Sequence, residues 1–225
     1  MLTISGLCWL CLSPLAVEHW GICSYCQRAL FVEHPCCPRC GLPAMGGNLP
    51  CGRCQLQAPP WHHIVSISDY QPPLSTLVQR LKFQNATALA LALSRLMVLK
   101  IREQRYRLPR ADLLLSVPLH HRRAWHRGFN QSDLLARQVS KWLNIYYAPQ
   151  ALVRNRATRV QHKLGAKARK RNMANAFSLE MPVAGRHIAI IDDVVTTGGT
   201  AGEIARLLIR HGAATIQIWC LCRTL

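Results

Sequence analysis

Hydrophobic positions in the second part of the chain alternate between two patterns. Short apolar runs typical of buried strands are followed by segments whose apolar residues recur every three or four positions. The runs are IVSISDY from Ile64, DLLLSVP from Asp112, HIAIID from His187 and ATIQIWCLC from Ala214. The helical segments are one from Leu74, one from Ala86 to about Arg105, SDLLARQVSKWL capped near Asn130 or Ser132, and GTAGEIARLLIRHG ending at Gly212. Strands that alternate with helices predict an α/β fold with a parallel sheet.

The segment before residue 61 shows neither pattern. Cysteine, glycine and proline are dense in it, and a loop-rich segment of this size needs an external staple to fold. The stretch QLQAPP from Gln55 has the composition of a linker. We therefore predict two domains, a small cysteine-rich module over residues 1–60 and the α/β domain over residues 61–225.

The cysteines predict two metal sites in that module. Eight of the eleven cysteines form four C-x-x-C pairs, a spacing typical of metal ligands rather than of disulfides. In sequence order the pairs make two sets of four thiolates, the number and type of ligand that structural zinc prefers. The first set is Cys8, Cys11, Cys23 and Cys26, and the second is Cys37, Cys40, Cys51 and Cys54.

Two alternatives stay open for these cysteines. An iron–sulfur cluster also takes four thiolates, and Cys23, Cys26, Cys37 and Cys40 could share one metal. In either arrangement a site filled by four thiolates has no open position for a substrate. The module is therefore expected to be a folding staple or a binding platform rather than a catalytic centre.

The same cysteines indicate a reducing compartment, because thiolate ligands persist there. The N-terminal stretch MLTISGLCWLCLSPLAV superficially resembles a signal peptide, but it lacks a positively charged start and its cysteines have ligand spacing. The sequence has no run of 18 apolar residues and hence no expected transmembrane helix. We expect a cytoplasmic protein.

Charge predicts an anionic partner. The chain has 28 Lys and Arg against 10 Asp and Glu, a formal net charge of +18, which favours nucleic acid, anionic lipid or a polyphosphate. No acid occurs between Asp133 and Glu180, where ten Lys or Arg lie. Five of them are concentrated in KLGAKARKRN, namely Lys163, Lys167, Arg169, Lys170 and Arg171. We expect them to bind single-stranded DNA through its phosphates; the rival interpretation is that they only neutralise a polyphosphate substrate.

Two neighbouring acids predict the ligand site. Asp192 and Asp193 end a buried strand, and the carboxyl edge of a parallel sheet is where such folds bind ligands. The following residues, Thr196, Thr197, Gly198, Gly199 and Thr200, lead into a helix whose N-terminal N–H groups favour a phosphate. Carboxylates repel a phosphate but accept hydrogen bonds from hydroxyls. Together the two groups would suit a ribose 5-phosphate; the alternative is an ordinary strand–turn–helix with capping acids.

This segment, IAIIDDVVTTGGT, resembles the phosphoribosyl-pyrophosphate (PRPP) signature of type I phosphoribosyltransferases. The resemblance implies that Asp192 and Asp193 hold the ribose hydroxyls and that the stretch 196–200 holds the 5-phosphate. It also implies that SVPLHHRR faces Mg²⁺-bound pyrophosphate through His120, Arg122 and Arg123, and that the basic stretch 154–175 closes over the site. Purine-type members carry an acid where this chain has Thr196, which argues against a 6-oxopurine acceptor and leaves catalysis open.

Over nearly its full length the chain resembles the ComF-type competence proteins. The segments that carry this resemblance are the double C-x-x-C module, LVQRLKF, SVPLHHRRAWHRGFNQS and the PRPP signature. It implies a factor that handles incoming single-stranded DNA for transformation or nutrition, with a helicase-like partner. The alternatives are an active phosphoribosyltransferase of nucleotide salvage and a zinc-ribbon regulator that senses PRPP. The acceptor and the oligomeric state are not specified by the sequence.

Overall fold

The computed structural model describes residues 6–31, 35–45, 49–119, 127–155 and 176–224. Their helices are α1 (Ser24–Leu30), α2 (Gly52–Leu56), α3 (Leu74–Phe83), α4 (Leu89–Glu103), α5 (Gln131–Leu143) and α6 (Gly199–Arg210), with short 3₁₀ turns at Glu18–Trp20 and Arg105–Arg107. Their strands are β1 (His63–Asp69), β2 (Leu113–Ser116), β3 (Tyr146–Tyr147), β4 (Leu152–Arg154), β5 (Phe177–Leu179), β6 (His187–Val195) and β7 (Thr215–Arg223).

A parallel sheet forms the centre of the second domain. Within the described residues its strand order is β1-β7-β6-β2-β3, and every neighbouring pair runs parallel. Strands β6 and β7 are inner strands of this sheet and are mostly buried, as expected for strands covered on both faces. Strands β4 and β5 pair separately as an antiparallel ribbon.

Helices cover both faces of this sheet. One hydrophobic cluster joins α3, α4 and α5 to the face that carries Ala189 and Ile191, and the other joins α6 to the face that carries Ile188 and Ile190. The alternation of odd and even residues along β6 follows from the two-residue repeat of a strand. For the same reason the side chains of Asp192 and Asp193, which follow in the same strand, leave the backbone on opposite faces of the sheet.

The first half of the cysteine-rich module packs into the same core as α4. Cys8, Leu15 and Ile22 belong to the cluster of that face, and a Cβ atom on Gly21 would lie 2.6 Å from Ala92 of α4. Arg95 of α4 donates to the carbonyl of Ile22 at 3.3 Å. This half of the module is thus a packed layer on the α/β domain.

The structure confirms the predicted α/β class, and the predicted strands and helices are present. The runs at Ile64, Asp112, His187 and Ala214 became β1, β2, β6 and β7, and the side chain of Asn130 accepts from the N–H of Ser132 as the cap of α5. The short helices α1 and α2 were not predicted, because they begin at metal-ligand cysteines rather than at an apolar period. None of the described helices is long and apolar enough to cross a bilayer.

Candidate ligand site and metal centres

The acidic pair lies near the carboxyl end of β6. Strand β6 continues to Val195, so the two acids are the third- and fourth-last residues of the strand rather than the residues that follow it. Asp193 is only 4% exposed, and its Oδ1 lies 2.9 Å from the Nζ of Lys82, the penultimate residue of α3. A buried carboxylate needs such a partner, since an unpaired charge there is costly.

The second oxygen of this carboxylate has no donor. Within the described residues Asp193 Oδ2 is buried and makes no hydrogen bond. A buried acceptor left without a donor costs about 1–3 kcal/mol. Such an exception in a folded protein indicates strain or a function, and a hydroxyl group is the kind of donor that it would accept.

Asp192 is more accessible than its neighbour and is also perturbed. Its Oδ1 accepts from the N–H of Asp193 at 2.9 Å and from the hydroxyl of Ser132 at 3.4 Å. Burial, together with the adjacent charge of Asp193, raises the pKa of Asp192 to about 7, and Lys82 acts in the opposite direction. A carboxyl group with a pKa raised by burial in this way is typical of a functional site.

The threonine–glycine loop after β6 forms the start of α6. Gly198 caps the helix with φ of +74°, a conformation that other residues rarely adopt, and Thr196, Thr197 and Gly199 are exposed. The free N–H groups of the first turn and the helix dipole together favour an anion at this point. The acidic pair and this anion-favouring loop are therefore separated by only Val194 and Val195 in sequence.

The predicted pyrophosphate and DNA residues lie outside the described residues. These are His120, Arg122 and Arg123 in the first case, and Lys163, Lys167, Arg169, Lys170 and Arg171 in the second. Described residues on either side of the first segment bond next to the acidic pair. Val117 donates its N–H to the carbonyl of Ile191 at 3.0 Å, and Asn130 donates to the carbonyl of Val117 at 3.1 Å. The described residues on both sides of that segment thus lie near Ile191, the residue that precedes Asp192.

The eight paired cysteines come together as two clusters in sequence order. The first holds Cys8, Cys11, Cys23 and Cys26 and the second holds Cys37, Cys40, Cys51 and Cys54, with the sulfur atoms of each cluster all within 4.8 Å of one another. Zn–S bonds of about 2.3 Å in a tetrahedron would place sulfurs about 3.8 Å apart. The separations of 3.7 Å for Cys11–Cys23 and for Cys40–Cys51 fit that geometry.

The chemistry of the thiols also fits a dication. Burial alone would raise the pKa of Cys37, but the N–H groups of Cys51, Cys40 and Arg39 bring that pKa down to about 7. In the same cluster burial raises the pKa of Cys54, and the neighbouring sulfurs of Cys40 and Cys51 raise that pKa further. A metal ion supplies the positive charge that lets all four sulfurs ionise, so the residues suit two structural zinc ions.

Family models match both parts of the chain. A double zinc ribbon domain matches residues 5–55, and a phosphoribosyl transferase domain matches residues 128–225. The chain is 56% identical to DNA utilization protein YhgH of Shigella flexneri and to that of Escherichia coli strain K12, over 100% of both chains in each comparison. It is 40% identical to Competence protein F of Haemophilus influenzae over 96% of both chains. The chain belongs to the ComF-type family of competence and DNA-utilisation proteins.

Several residues of this ComF-type site were not predicted. Lys82 and Ser132 hold the acidic pair, and Trp61 and Arg223 contact the loop that follows it. Lys82 lies in LVQRLKF, a segment that carried the family resemblance without an assigned role. Ser132 ends SVPLHHRRAWHRGFNQS, another segment that carried the resemblance, whereas no local pattern in the sequence marks Trp61 and Arg223.

The candidate site is separate from a cleft that other described residues form. A cleft of about 840 Å³ opens between the second cysteine cluster, the edge strand β1 and the end of α4. Its lining contains both signs of charge, including Asp69, Lys100, Glu103 and Arg107, but neither the acidic pair nor the threonine–glycine loop. The perturbed pKa and the anion-favouring helix start make the acidic pair and the loop the candidate ligand site.

Proposed function

We propose that this protein binds PRPP and single-stranded DNA and serves the uptake or nutritional use of extracellular DNA in the cytoplasm. The names of its full-length relatives, DNA utilization protein and Competence protein F, support the DNA role. The phosphoribosyl transferase domain model over residues 128–225 supports the PRPP role. The thiolate clusters support a reducing compartment.

The observation that carries the PRPP proposal is the acidic pair, in which the buried Oδ2 of Asp193 accepts no hydrogen bond from a described residue. Asp192 and Asp193 offer acceptors to vicinal hydroxyls, and Asp193 Oδ2 is an acceptor that no described residue satisfies. The N–H groups at the start of α6 follow within a few residues and suit the 5-phosphate. A sugar phosphate satisfies both requirements at once, whereas a free phosphate would be repelled by the acids.

The remaining roles follow the sequence expectations. Thr196, Thr197, Gly198, Gly199 and Thr200 bind the 5-phosphate, and His120, Arg122 and Arg123 bind the pyrophosphate with Mg²⁺. Asp192, the more exposed acid, is the first contact for the ribose. The sheet edge and α6 therefore position the sugar end of PRPP, and the segment after β2 positions its other end.

The basic stretch is proposed as the DNA contact. Lys163, Lys167, Arg169, Lys170 and Arg171 supply five positive charges, and one small ligand does not require the ten that lie between Asp133 and Glu180. Binding through about six phosphates would weaken roughly a thousandfold between 50 and 200 mM salt. A helicase-like protein is the proposed partner that delivers or receives the strand.

Transfer of the phosphoribosyl group is the second candidate function, and the match to the transferase domain favours it. Pyrophosphate would leave from the ribose, and the acidic pair would stand near the positive charge that develops on the sugar. Thr196 stands where purine-type enzymes carry an acid, so this position supplies no base to deprotonate such an acceptor. Pyrophosphate release that requires a particular acceptor, and that is lost in Asp192→Asn/Asp193→Asn, would establish transfer.

Fluorescence anisotropy of a labelled single strand tests the DNA proposal. We expect binding that weakens steeply with salt and that changes when Mg-PRPP is added. Reversing the charge of Lys167, Arg169, Lys170 and Arg171 should abolish most of the affinity and flatten the salt dependence. Unchanged affinity in that variant would exclude the basic stretch as the contact.

A charge-matched variant controls for the net charge of the whole protein. Reversing Arg28, Arg107, Arg110 and Arg210, all exposed, changes the net charge by the same amount. The basic-stretch proposal expects this control to keep most of the DNA affinity. Equal losses in the two variants would mean that DNA responds only to overall charge.

A further inference from the structure

Three successive carbonyl groups of the second cysteine cluster accept hydrogen bonds from the α/β domain. They lie in the C-P-R-C knuckle between Cys37 and Cys40. The carbonyl of Pro38 accepts from the N–H of Ile64 at 3.0 Å, that of Arg39 from Trp61 Nε1 at 2.6 Å, and that of Cys40 from Arg223 Nε at 2.8 Å. Every peptide carbonyl of the knuckle from Pro38 to Cys40 is therefore held by the neighbouring domain.

The opposite sides of the same peptide units face the metal-ligand candidate Cys37. The N–H groups of Arg39 and Cys40 bond to its sulfur, and the N–H of Cys51 donates to it at 3.2 Å. A peptide unit is planar, so its N–H and its C=O cannot turn independently. The orientation that serves the sulfur thus also fixes the carbonyls of Pro38 and Arg39. The Cys40 carbonyl shares its peptide unit with the N–H of Gly41, which donates to the carbonyl of Cys37 at 2.8 Å.

Trp61 connects the knuckle to the threonine–glycine loop. Its indole N–H binds the knuckle, and its ring lies so close to Gly198 that a Cβ atom there would be 2.6 Å from the ring. The ring also lies beneath Gly202 in the first turn of α6. Trp61 is 5% exposed, so this contact is part of the packed interior.

Arg223 makes a second, independent connection. Its Nε donates to the knuckle carbonyl of Cys40, while its Nη1 donates to the carbonyls of Val195 and Thr196, where the loop begins. The residue is 7% exposed and lies at the end of the central strand β7. One guanidinium therefore bridges the metal cluster and the loop, which a single-point ammonium cannot do.

We propose that Trp61 and Arg223 are positioning residues through which the second cysteine cluster sets the shape of the loop at residues 196–200. Metal binding at Cys37, Cys40, Cys51 and Cys54 and sugar-phosphate binding at the loop then stabilise each other. This inference rests on the proposed function, because it names the loop as the phosphate site. Among the described residues the first cluster has no such contact with the loop. The arginine that bonds beside it is Arg95 of α4, which donates to Ile22 and Gln27.

Hydrogen exchange of the ligand-free protein tests the positioning without any ligand. Arg223→Lys keeps the charge but loses the bridge, and Trp61→Phe loses both the indole N–H and the far ring atoms that contact Gly198. Both should raise exchange at residues 196–202. Arg95→Lys is the matched control, because Arg95 bridges the first cluster to α4 through Ile22 and Gln27, and it should leave that exchange unchanged.

Linkage between the two sites is tested with Mg-PRPP and zinc. Couplings between sites are typically about five- to 150-fold, so Arg223→Lys should weaken Mg-PRPP at least about fivefold while Arg95→Lys does not. Because coupling between binding free energies is reciprocal, saturating Mg-PRPP should raise the zinc affinity of one of the two clusters in wild type, measured by equilibrium competition with a chelator. This increase should be missing in Cys54→Ser and in Arg223→Lys.

The outcomes separate the two proposals. If wild type does not bind Mg-PRPP, the proposed function fails, and the exchange experiment still decides whether the cluster positions the loop. If Mg-PRPP binds but Arg223→Lys and Trp61→Phe leave both exchange and affinity as in wild type, the positioning role is wrong and the proposed function stands. Equal effects in Arg95→Lys would show a general loosening rather than this connection.

Discussion

The ion pair between Lys82 and Asp193 gives the sharpest prediction about the site. Lys82 Nζ and Asp193 Oδ1 are 2.9 Å apart, and the side chains are 17% exposed for Lys82 and 6% exposed for Asp193. Removing one partner of a buried pair costs about 3–5 kcal/mol, because the other charge is left without compensation. Lys82→Met should therefore lower the free energy of unfolding by about that amount, since Asp193 already has one oxygen without a donor.

The other two variants of this double-mutant cycle should lower the free energy of unfolding by less than Lys82→Met does. Asp193→Asn leaves a lysine that can extend its ammonium group towards water, so we expect a loss of about 1–3 kcal/mol. The double variant Lys82→Met/Asp193→Asn removes both charges and should be more stable than Lys82→Met alone. The coupling between the two positions should then be about 2 kcal/mol or more.

Urea denaturation of the zinc-loaded protein, followed by tryptophan fluorescence, measures these differences. An unchanged dependence on urea concentration in all four proteins would show that the same transition is compared. Losses that add to within about 0.5 kcal/mol would refute the reasoning, because independent sites behave in that way. They would mean that Lys82 does not hold Asp193 in solution.

Three further predictions concern the rest of the site and the metal centres. The pKa of Asp192 is raised to about 7 in the folded protein, above the unfolded value of about 3.9. The free energy of unfolding should therefore fall as pH rises between these two values and level off above pH 7. This decline should vanish in Asp192→Asn. Gly198→Ala should lower the free energy of unfolding by about 1–3 kcal/mol. Gly185→Ala should lower it less, because Gly185 has a similar φ but faces open space instead of the ring of Trp61. Equal losses in the two variants would contradict the packing of Trp61 on Gly198. Zinc analysis should give two ions per chain in wild type and one in Cys54→Ser, and a wild-type content below two would contradict the pairing.

The parts predictable from sequence are those governed by local pattern. Apolar runs marked β2, β6 and β7 because a strand covered on both faces has no polar side, and the spacing of eight cysteines indicated the two clusters. The placement of Asp192 and Asp193 at the sheet edge followed from the same rule for parallel sheets. Such features depend on residues that are close together in the chain.

The supports of the site could not be predicted because they depend on the packing of distant segments. Lys82 reaches Asp193 because α3 packs against β7, the strand beside β6, and Arg223 reaches the knuckle from 183 positions away in the chain. The glycine at residue 198 suggested a phosphate turn, but the structure shows that an indole ring also requires it. The sequence expectation of two separate domains likewise contained no sign that the first cluster shares its core with α4.

The central claim is that the acids hold a sugar while the loop holds its phosphate. Titration calorimetry with ribose 5-phosphate and with inorganic phosphate, on wild type and Asp192→Asn/Asp193→Asn, tests it most directly. A hydrogen bond to a charged group contributes about 1.5–3 kcal/mol, so the variant should bind ribose 5-phosphate at least about tenfold more weakly and inorganic phosphate no more weakly. Ribose 5-phosphate that fails to bind wild type, or binds the variant equally well, would contradict the account.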